Sequence, residues 1–453
     1  MQDRFDVVVV GAGAAGIAAL RRLSATGLSV VALEARPRVG GRTHTILAGP
    51  DLPVDCGAGW LHSADENVLA KPIDQAGFHL DRAPPHWMRQ SFNRDFPPHE
   101  QRAFRAALND FEDRLRAAAA SGIDQSGSDF LEPGGRWNVL IEAFSSYYNG
   151  AEFDQVSALD FAAYEDSGVN WRVSEGYGAA IASFADMDRI VVSCPVATIR
   201  HEGPALTLDT AKGRVTARAI VVCVPTSTLA DGRLTFSPSL PEKSEAAADL
   251  PLGLADKVFL GLDKPDDLPI DGHLFGRTDR TETGSYHLRP FGRPYIEAFL
   301  GGRCARALEV QGPDAMTAFV VEELGELMGS DLRRRLRPLA ETAWATDPWA
   351  LGSYSHALPG RAGCRAILAA PVEDRIFFAG EATHPRFYST VHGAWETGLR
   401  AADEAIAALA CGDKPLSPTD LGLAGSKARR SPGPTATVEQ RRLRRDANPR
   451  QDG

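Results

Sequence analysis

The sequence predicts an α/β (α+β) fold built on a buried parallel sheet, and three observations predict it. Phe5-Asp6-Val7-Val8-Val9-Val10 is a short β-branched run, apolar on both faces, as a strand covered on both sides of a parallel sheet must be. Gly11, Gly13 and Gly16 follow at the G-x-G-x-x-G spacing and open a helical pattern from Ala14 to about Ala25. Val30-Val31-Ala32-Leu33-Glu34 then reads as a second strand that ends on an acid about 20 residues further on. Strand, glycine turn, helix, strand and terminal carboxylate in that order form a Rossmann-type unit that holds a dinucleotide.

Each part has a physical task. One glycine makes the tight turn, the next lets backbone approach a pyrophosphate, and the third lets the helix pack on the strand. The helix start at Ala14 and Ala15 turns unpaired N–H groups and a positive dipole end toward the phosphates. Glu34 is placed for ribose hydroxyls, and a carboxylate there would repel a 2′-phosphate, which disfavours NADP.

The next segment, Glu34-Ala35-Arg36-Pro37-Arg38-Val39-Gly40-Gly41-Arg42-Thr43, resembles the E-x-R-x-R-x-G-G-R segment of FAD-dependent amine oxidases. The resemblance implies a two-dinucleotide-binding FAD domain in which Glu34, Ala35, Arg36, Gly41 and Arg42 hold the cofactor. Arg42 suits a diphosphate because its guanidinium presents a fixed fork of donors. Val54-Asp55-Cys56-Gly57-Ala58-Gly59-Trp60-Leu61-His62 is similar to the family's segment along the flavin ring, where small residues let backbone approach a flat surface. That likeness implies cofactor contacts from Gly57, Ala58, Gly59 and Trp60, and His62 matches a histidine often carried by polyamine-oxidising members.

Further along, helical periodicity over 101–120 puts Phe104, Leu108, Phe111 and Leu115 on one face, and Gly122 stops it. A helix there is expected to roof a pocket. Short strands return at Ile190 to Ser193, Leu206 to Asp209 and Arg218 to Pro225, and Val196 sits where the family offers a backbone valine to adenine. Ala255 to Leu262 alternates, with Val258, Leu260 and Leu262 on one side and Lys257, Phe259 and Gly261 on the other. Lys257 matches the lysine that amine oxidases hold next to flavin N5, where it is expected to serve oxygen chemistry more than folding. The alternative is an edge-strand lysine that blocks aggregation. A second helix is expected from Asp314 to about Leu327.

Trp344 to Ser355 resembles the family's W-x-x-[ED]-x-[YF]-x-x-G-[SC]-Y-S segment, with Tyr354 as one wall of the amine slot and Trp349 on the approach. Arg375 to Thr383 and Thr390 to Ala402 resemble F-x-G-E-x-T and T-V-H-G-A. These imply that Gly380 and Glu381 meet the ribityl or diphosphate portion, and that Thr390 and Val391 face the pyrimidine end of the ring. Ser353 stands where mitochondrial monoamine oxidases carry a flavin-linked cysteine, so the FAD is expected to be noncovalent. Thr390 stands where they have a second cage tyrosine, so the slot is expected to be half open.

The whole chain sets broader bounds. With 453 residues and 43% hydrophobic content it can bury a large core and divide into two or so domains. Its 49 basic and 59 acidic residues leave −10 at pH 7, which disfavours nucleic acid and mildly favours cationic ligands. No run of about 18 apolar residues suggests a membrane span, and the first strand starts too close to Met1 for a signal peptide, so a cytoplasmic location is expected. The six cysteines and the histidines show no metal-ligand spacing and no C-x-x-C pair. No metal is expected.

The expected organisation is an FAD domain from 1–72, 172–246 and 344–412, a substrate domain from 73–171 and 247–343, and a disordered basic tail over 413–453. The implied reaction takes a hydride equivalent from the carbon beside an amine to the flavin, with O2 as acceptor, peroxide as product and water converting the imine to an aldehyde. The same fold serves L-amino-acid oxidases, carotenoid-type desaturases and amine dehydrogenases that use another acceptor. A non-catalytic flavin-binding interaction protein is the alternative of another class. An oligomeric state is not implied.

Overall fold

Side-chain alternation along the first strand, Arg4–Val10, builds a core on both faces of its sheet. Val8 and Val10 pack with Ile199, Leu208, Val215 and Ile376 on one side, while Val7 and Val9 pack with Ala15, Leu20, Ala401 and Ala405 on the other. The computed structural model describes residues 4–88 and 95–412, and the tail expected to be disordered lies outside the described residues.

Eight strands form this sheet, in the order Thr235–Ser237, Val196–Arg200, Leu206–Thr210, Gly213–Val222, Arg4–Val10, Val30–Leu33 and Ile190–Val191, with Ile376–Phe378 also pairing to Gly213–Val222. Gly213–Val222 organises the layout. Its first half pairs antiparallel with Leu206–Thr210, its second half runs parallel to Ile376–Phe378, and its other edge runs parallel to Arg4–Val10 with Ala219 opposite Val7. Arg4–Val10 and Val30–Leu33 are parallel, and such neighbours need a crossover. The helix Ala14–Ser24 supplies it.

A second sheet is antiparallel throughout, in the order Gly272–Phe275, Ser285–Leu288, Tyr295–Gly301, Ala255–Leu262 and Leu336–Glu341. Ala255–Leu262 has a neighbour on each side, so Lys257 does not lie on an edge strand. Val258, Leu260 and Leu262 face a core completed by Ala305 and Leu308 of the helix Gly302–Gln311 and by Val320 and Leu324 of the helix Ala315–Met328. The opposite face turns polar side chains toward a cavity.

The helix anticipated over 101–120 spans Pro98–Ala120, with Pro97 at its N-cap, where the missing N–H costs nothing. Phe104, Phe111 and Leu115 are buried against Leu140 and Ile141 of the helix Asn138–Tyr148. Among the described residues no helix is long and apolar enough to cross a membrane.

Candidate active site

A cavity of about 1000 Å³ is lined at one end by Val10, Gly11, Leu33 and Glu34, at the carboxyl ends of two parallel strands. At the other end its lining includes Lys257, His287, Glu297 and Phe299 of the second sheet.

The glycine turn is dictated by packing and by the space it leaves. Gly11 has φ +98°, and a Cβ there would stand 2.8 Å from the Cys223 carbonyl oxygen. On Gly16 a Cβ would stand 1.9 Å from the Gly11 carbonyl oxygen, so Gly16 seats the helix on the strand and does not line the cavity. Gly13 is different: its nearest such contact is 3.9 Å away, on Gly41, and it caps the helix with no side-chain hydrogen bond. Gly13, Ala14 and Ala15 line the cavity at a helix start that has no side-chain cap, a place that fits a diphosphate.

Around that turn the charged groups are mutually held. Glu34 is buried; its Oε2 accepts the Ala12 N–H at 2.7 Å and its Oε1 the Arg36 N–H at 2.8 Å. Arg36 pairs with Asp347 at 2.6 Å, and Arg42 with Glu381 at 2.9 Å. Burial opposes ionisation of Glu381, but Arg42, the Ser355 hydroxyl and Arg365 together hold its carboxyl below the usual range. Ala35, Gly41, Gly57, Ala58, Gly59, Trp60, Val196, Gly380 and Val391 all line the same cavity.

Two cysteines also border it. Burial pushes the Cys56 thiol up to about 11 and the Cys223 thiol up to about 12, so neither is a thiolate near neutrality. The Ser353 hydroxyl is engaged with strand backbone, donating to the Ala255 carbonyl at 2.8 Å and accepting the Ala255 N–H at 2.9 Å.

At the second-sheet end, Lys257 Nζ donates to the Asp55 carbonyl at 2.9 Å and pairs with Glu297 Oε1 at 2.8 Å. Tyr354 lines the cavity and donates its hydroxyl to the Tyr147 carbonyl. His62 also lines it, with Nδ1 2.6 Å from Asn170 Oδ1. Thr390 serves as an N-cap: its hydroxyl accepts the Gly393 N–H at 3.0 Å and donates to the Phe387 carbonyl at 2.6 Å, at the start of the helix Val391–Gly412. Trp349 is 37% exposed and follows Asp347, the partner of Arg36, and Pro348, whose carbonyl accepts from Arg233. Those contacts tie Trp349 to the Arg36 end of the cavity.

Several lining residues escaped the sequence reading. His273 lies opposite His287, and His287 opposite Glu297, so three strands carry one polar row across the cavity face. His86 stacks on His287 at 3.7 Å between ring centroids, and Trp87 meets Trp60 edge-on at 4.4 Å. Burial, with His287 beside it, takes His273 down to about 3, and burial likewise lowers His86 and His287. All three imidazoles are therefore neutral near pH 7. Tyr147, Tyr148, Tyr164 and Tyr388 add to the wall with Tyr354. Alternation in His273-Leu274-Phe275 and Ser285-Tyr286-His287-Leu288 was the available signal, but the row exists only once the strands pair.

A Rossmann-type sheet whose glycine turn and paired acid open into one cavity with a lysine-bearing second sheet defines a dinucleotide-dependent oxidoreductase. The chain matches the family described as flavin containing amine oxidoreductase over residues 14–406, and it belongs to that family. Membership implies FAD and oxidation at CH–NH groups. Polyamine oxidase 2 of Arabidopsis thaliana is 30% identical over 443 residues, covering 88% of this chain and 87% of that protein. Lysine-specific histone demethylase 1 homolog 3 of Oryza sativa subsp. japonica is 31% identical over 438 residues, but the match covers only 53% of it, so this chain spans about half that relative's length. Among solved structures, putrescine oxidase bound to putrescine superposes with a TM-score of 0.71 at 21% identity, over 89% of this chain and 99% of that one. Cyclohexylamine oxidase from Brevibacterium oxydans gives 0.71 at 21%, over 90% and 99%. At that identity the structures share the fold.

Proposed function

We propose that the chain oxidises a primary or secondary amine that lacks an adjacent carboxylate, using noncovalent FAD and O2. One observation carries the choice over an amino acid. Among the described residues, every arginine that lines the cavity is already engaged: Arg36 with Asp347, Arg42 with Glu381, Arg116 with Glu112 and Arg233 with the Pro348 carbonyl. A substrate carboxylate would find no uncommitted guanidinium there, whereas an amine meets neutral imidazoles and aromatic faces.

Gly13, Ala14, Ala15 and Arg42 would hold the FAD diphosphate, Glu34 the ribose, and Val391 with Thr390 the far end of the ring system. FAD, when bound, supplies the two-electron acceptor. The protein's own share is to orient the substrate C–H bond and to favour the neutral amine. Tyr354 and the neighbouring tyrosines exclude water, and desolvation disfavours an ammonium, although the aromatic faces partly oppose this by attracting cations. The neutral histidine row keeps that wall polar without adding charge. High thiol pKa values at Cys56 and Cys223 and the engaged Ser353 hydroxyl argue against a link through cysteine or Ser353.

A peroxide-coupled screen of putrescine, spermidine, aryl-alkyl amines, cyclic amines and L-amino acids tests this reading. Turnover of an amine with none of an L-amino acid is expected; the reverse would overturn it. Acid precipitation should leave the flavin in the supernatant, and flavin mass on the polypeptide would refute noncovalent attachment.

A further inference from the structure

We propose, on the reading that Lys257 is the cation beside the bound flavin, that Glu297 is its positioning residue, the counterion that keeps the ammonium charged and aimed into the cavity. An ammonium has three donors. One goes to the Asp55 carbonyl at 2.9 Å, one to Glu297 Oε1 at 2.8 Å, and the third is left for the cavity. A Cβ on Gly59 would stand 3.4 Å from Lys257 Nζ, so the wall beside the ammonium is bare backbone.

The pair is nearly dry: the Lys257 side chain is 7% exposed and that of Glu297 is 19%. A lysine so far from water sheds its proton unless an anion stays beside it. No other acid among the described residues forms an ion pair with Lys257. The Asp55 carboxylate lies near Lys257 but spends its hydrogen bonds elsewhere, accepting the Thr45 hydroxyl and the Tyr177 and Gly178 N–H groups; burial raises its pKa, and the Lys257 charge opposes that rise. Burial keeps the Cys56 thiol and the Tyr295 phenol protonated and leaves His86 and His287 neutral, while Arg172 is committed to Asp81 and Asp271. Burial would raise the Glu297 carboxyl too, but the charge and hydrogen bond of Lys257 beside it, with help from Arg172, hold it below its ordinary value. Sheet register makes the contact: Phe299 lies opposite Lys257 and Phe259 opposite Glu297, so the two charges are diagonal neighbours on one face.

The chain has seven lysines, few enough for side-chain NMR on lysine-labelled full-length protein, with Lys257 assigned by the signal lost in Lys257→Met. The signal is titrated with and without FAD. Glu297→Gln should lower the Lys257 midpoint and move any alkaline limb of the kcat/KM profile in the same direction. Should that variant fail to fold, Glu297→Asp carries the test: its shorter arm weakens the pair, and its midpoint must fall below the parent's. A folded Gln variant, or an Asp variant standing in for it, that titrates with the parent overturns the assignment. The midpoint is read without substrate. A protein that turns over no amine yet shows the shift therefore upholds Glu297 and removes the oxidase reading, and one that oxidises amines without the shift does the opposite.

Discussion

Arg42 Nη1 donates to Glu381 Oε1 at 2.9 Å and to the Ser353 carbonyl at 2.7 Å, so one guanidinium joins the first glycine-rich unit to chain that lies more than three hundred residues downstream. Arg42→Met should leave Glu381, whose side chain is 7% exposed, without its direct ion-pair partner. Removing one partner of a buried pair costs about 3–5 kcal/mol, and the part-exposed Arg42 side chain brings the expected loss to about 2–3 kcal/mol. Urea melts with flavin retention on gel filtration check it: both stability and retention should drop, and a parent-like variant would show that the pair holds nothing together.

The glycines of the turn should separate into two kinds. Gly16→Ala places a Cβ 1.9 Å from the Gly11 carbonyl oxygen, so helix and strand must move apart, at a cost of about 3 kcal/mol or more. Gly13→Ala meets only ordinary contact, 3.9 Å from Gly41. Its apo melting temperature should stay within a few degrees of the parent while FAD affinity falls at least tenfold. Calorimetry of the apo forms and flavin titration distinguish the two.

Stability should fall toward alkaline pH through Asp256. Burial, with Glu309 beside it, pushes this carboxyl up from 3.8 to about 8. The folded state keeps a proton that the unfolded chain releases, so the stabilisation is full below the unfolded pKa and is lost as pH rises through about 8. Asp256→Asn preserves an oxygen for the Thr342 hydroxyl and Trp344 N–H and cannot ionise. Melting temperature against pH should slope downward in the parent and flatten in the variant; equal slopes would remove Asp256 as the cause.

Lys257→Met should be less benign than the sequence alone suggested. A lysine expected to matter mainly for oxygen chemistry is half of a buried pair, and its loss strands Glu297 at a cost of about 3 kcal/mol. Replacing both residues, as Lys257→Met with Glu297→Leu, should recover much of that loss, because two well-packed apolar groups carry no desolvation penalty. Denaturant melts of the two singles and the double complete the cycle, and additive losses would disprove the coupling.

Local chemistry was enough for the dinucleotide unit. A valine run buried on both faces, a turn that only glycine fits, and a carboxylate at the second strand's end each state their requirement within a few residues, so Arg4–Val10, Ala14–Ser24 and Val30–Leu33 were legible before pairing was known. The bounds of Ala255–Leu262 followed from strict alternation. Elements that depend on partners were not legible. Gly272–Phe275 and Ser285–Leu288 are four-residue strands whose histidines disguise the apolar pattern, and Leu336–Glu341 carries Pro338, tolerable because the strand lies at the sheet edge.

Side-chain roles divided the same way. The amino-acid order placed Lys257 on the polar side of its strand, and the family motifs named Tyr354, Thr390 and Glu381 as site residues. Only the tertiary structure decided that the Thr390 hydroxyl caps a helix, that Asp347 and Pro348 before Trp349 hold Arg36 and Arg233, and that Glu297 meets Lys257. These contacts join residues far apart in the chain, and their energies come from burial and register, which appear only when distant strands pair and water leaves the space between them.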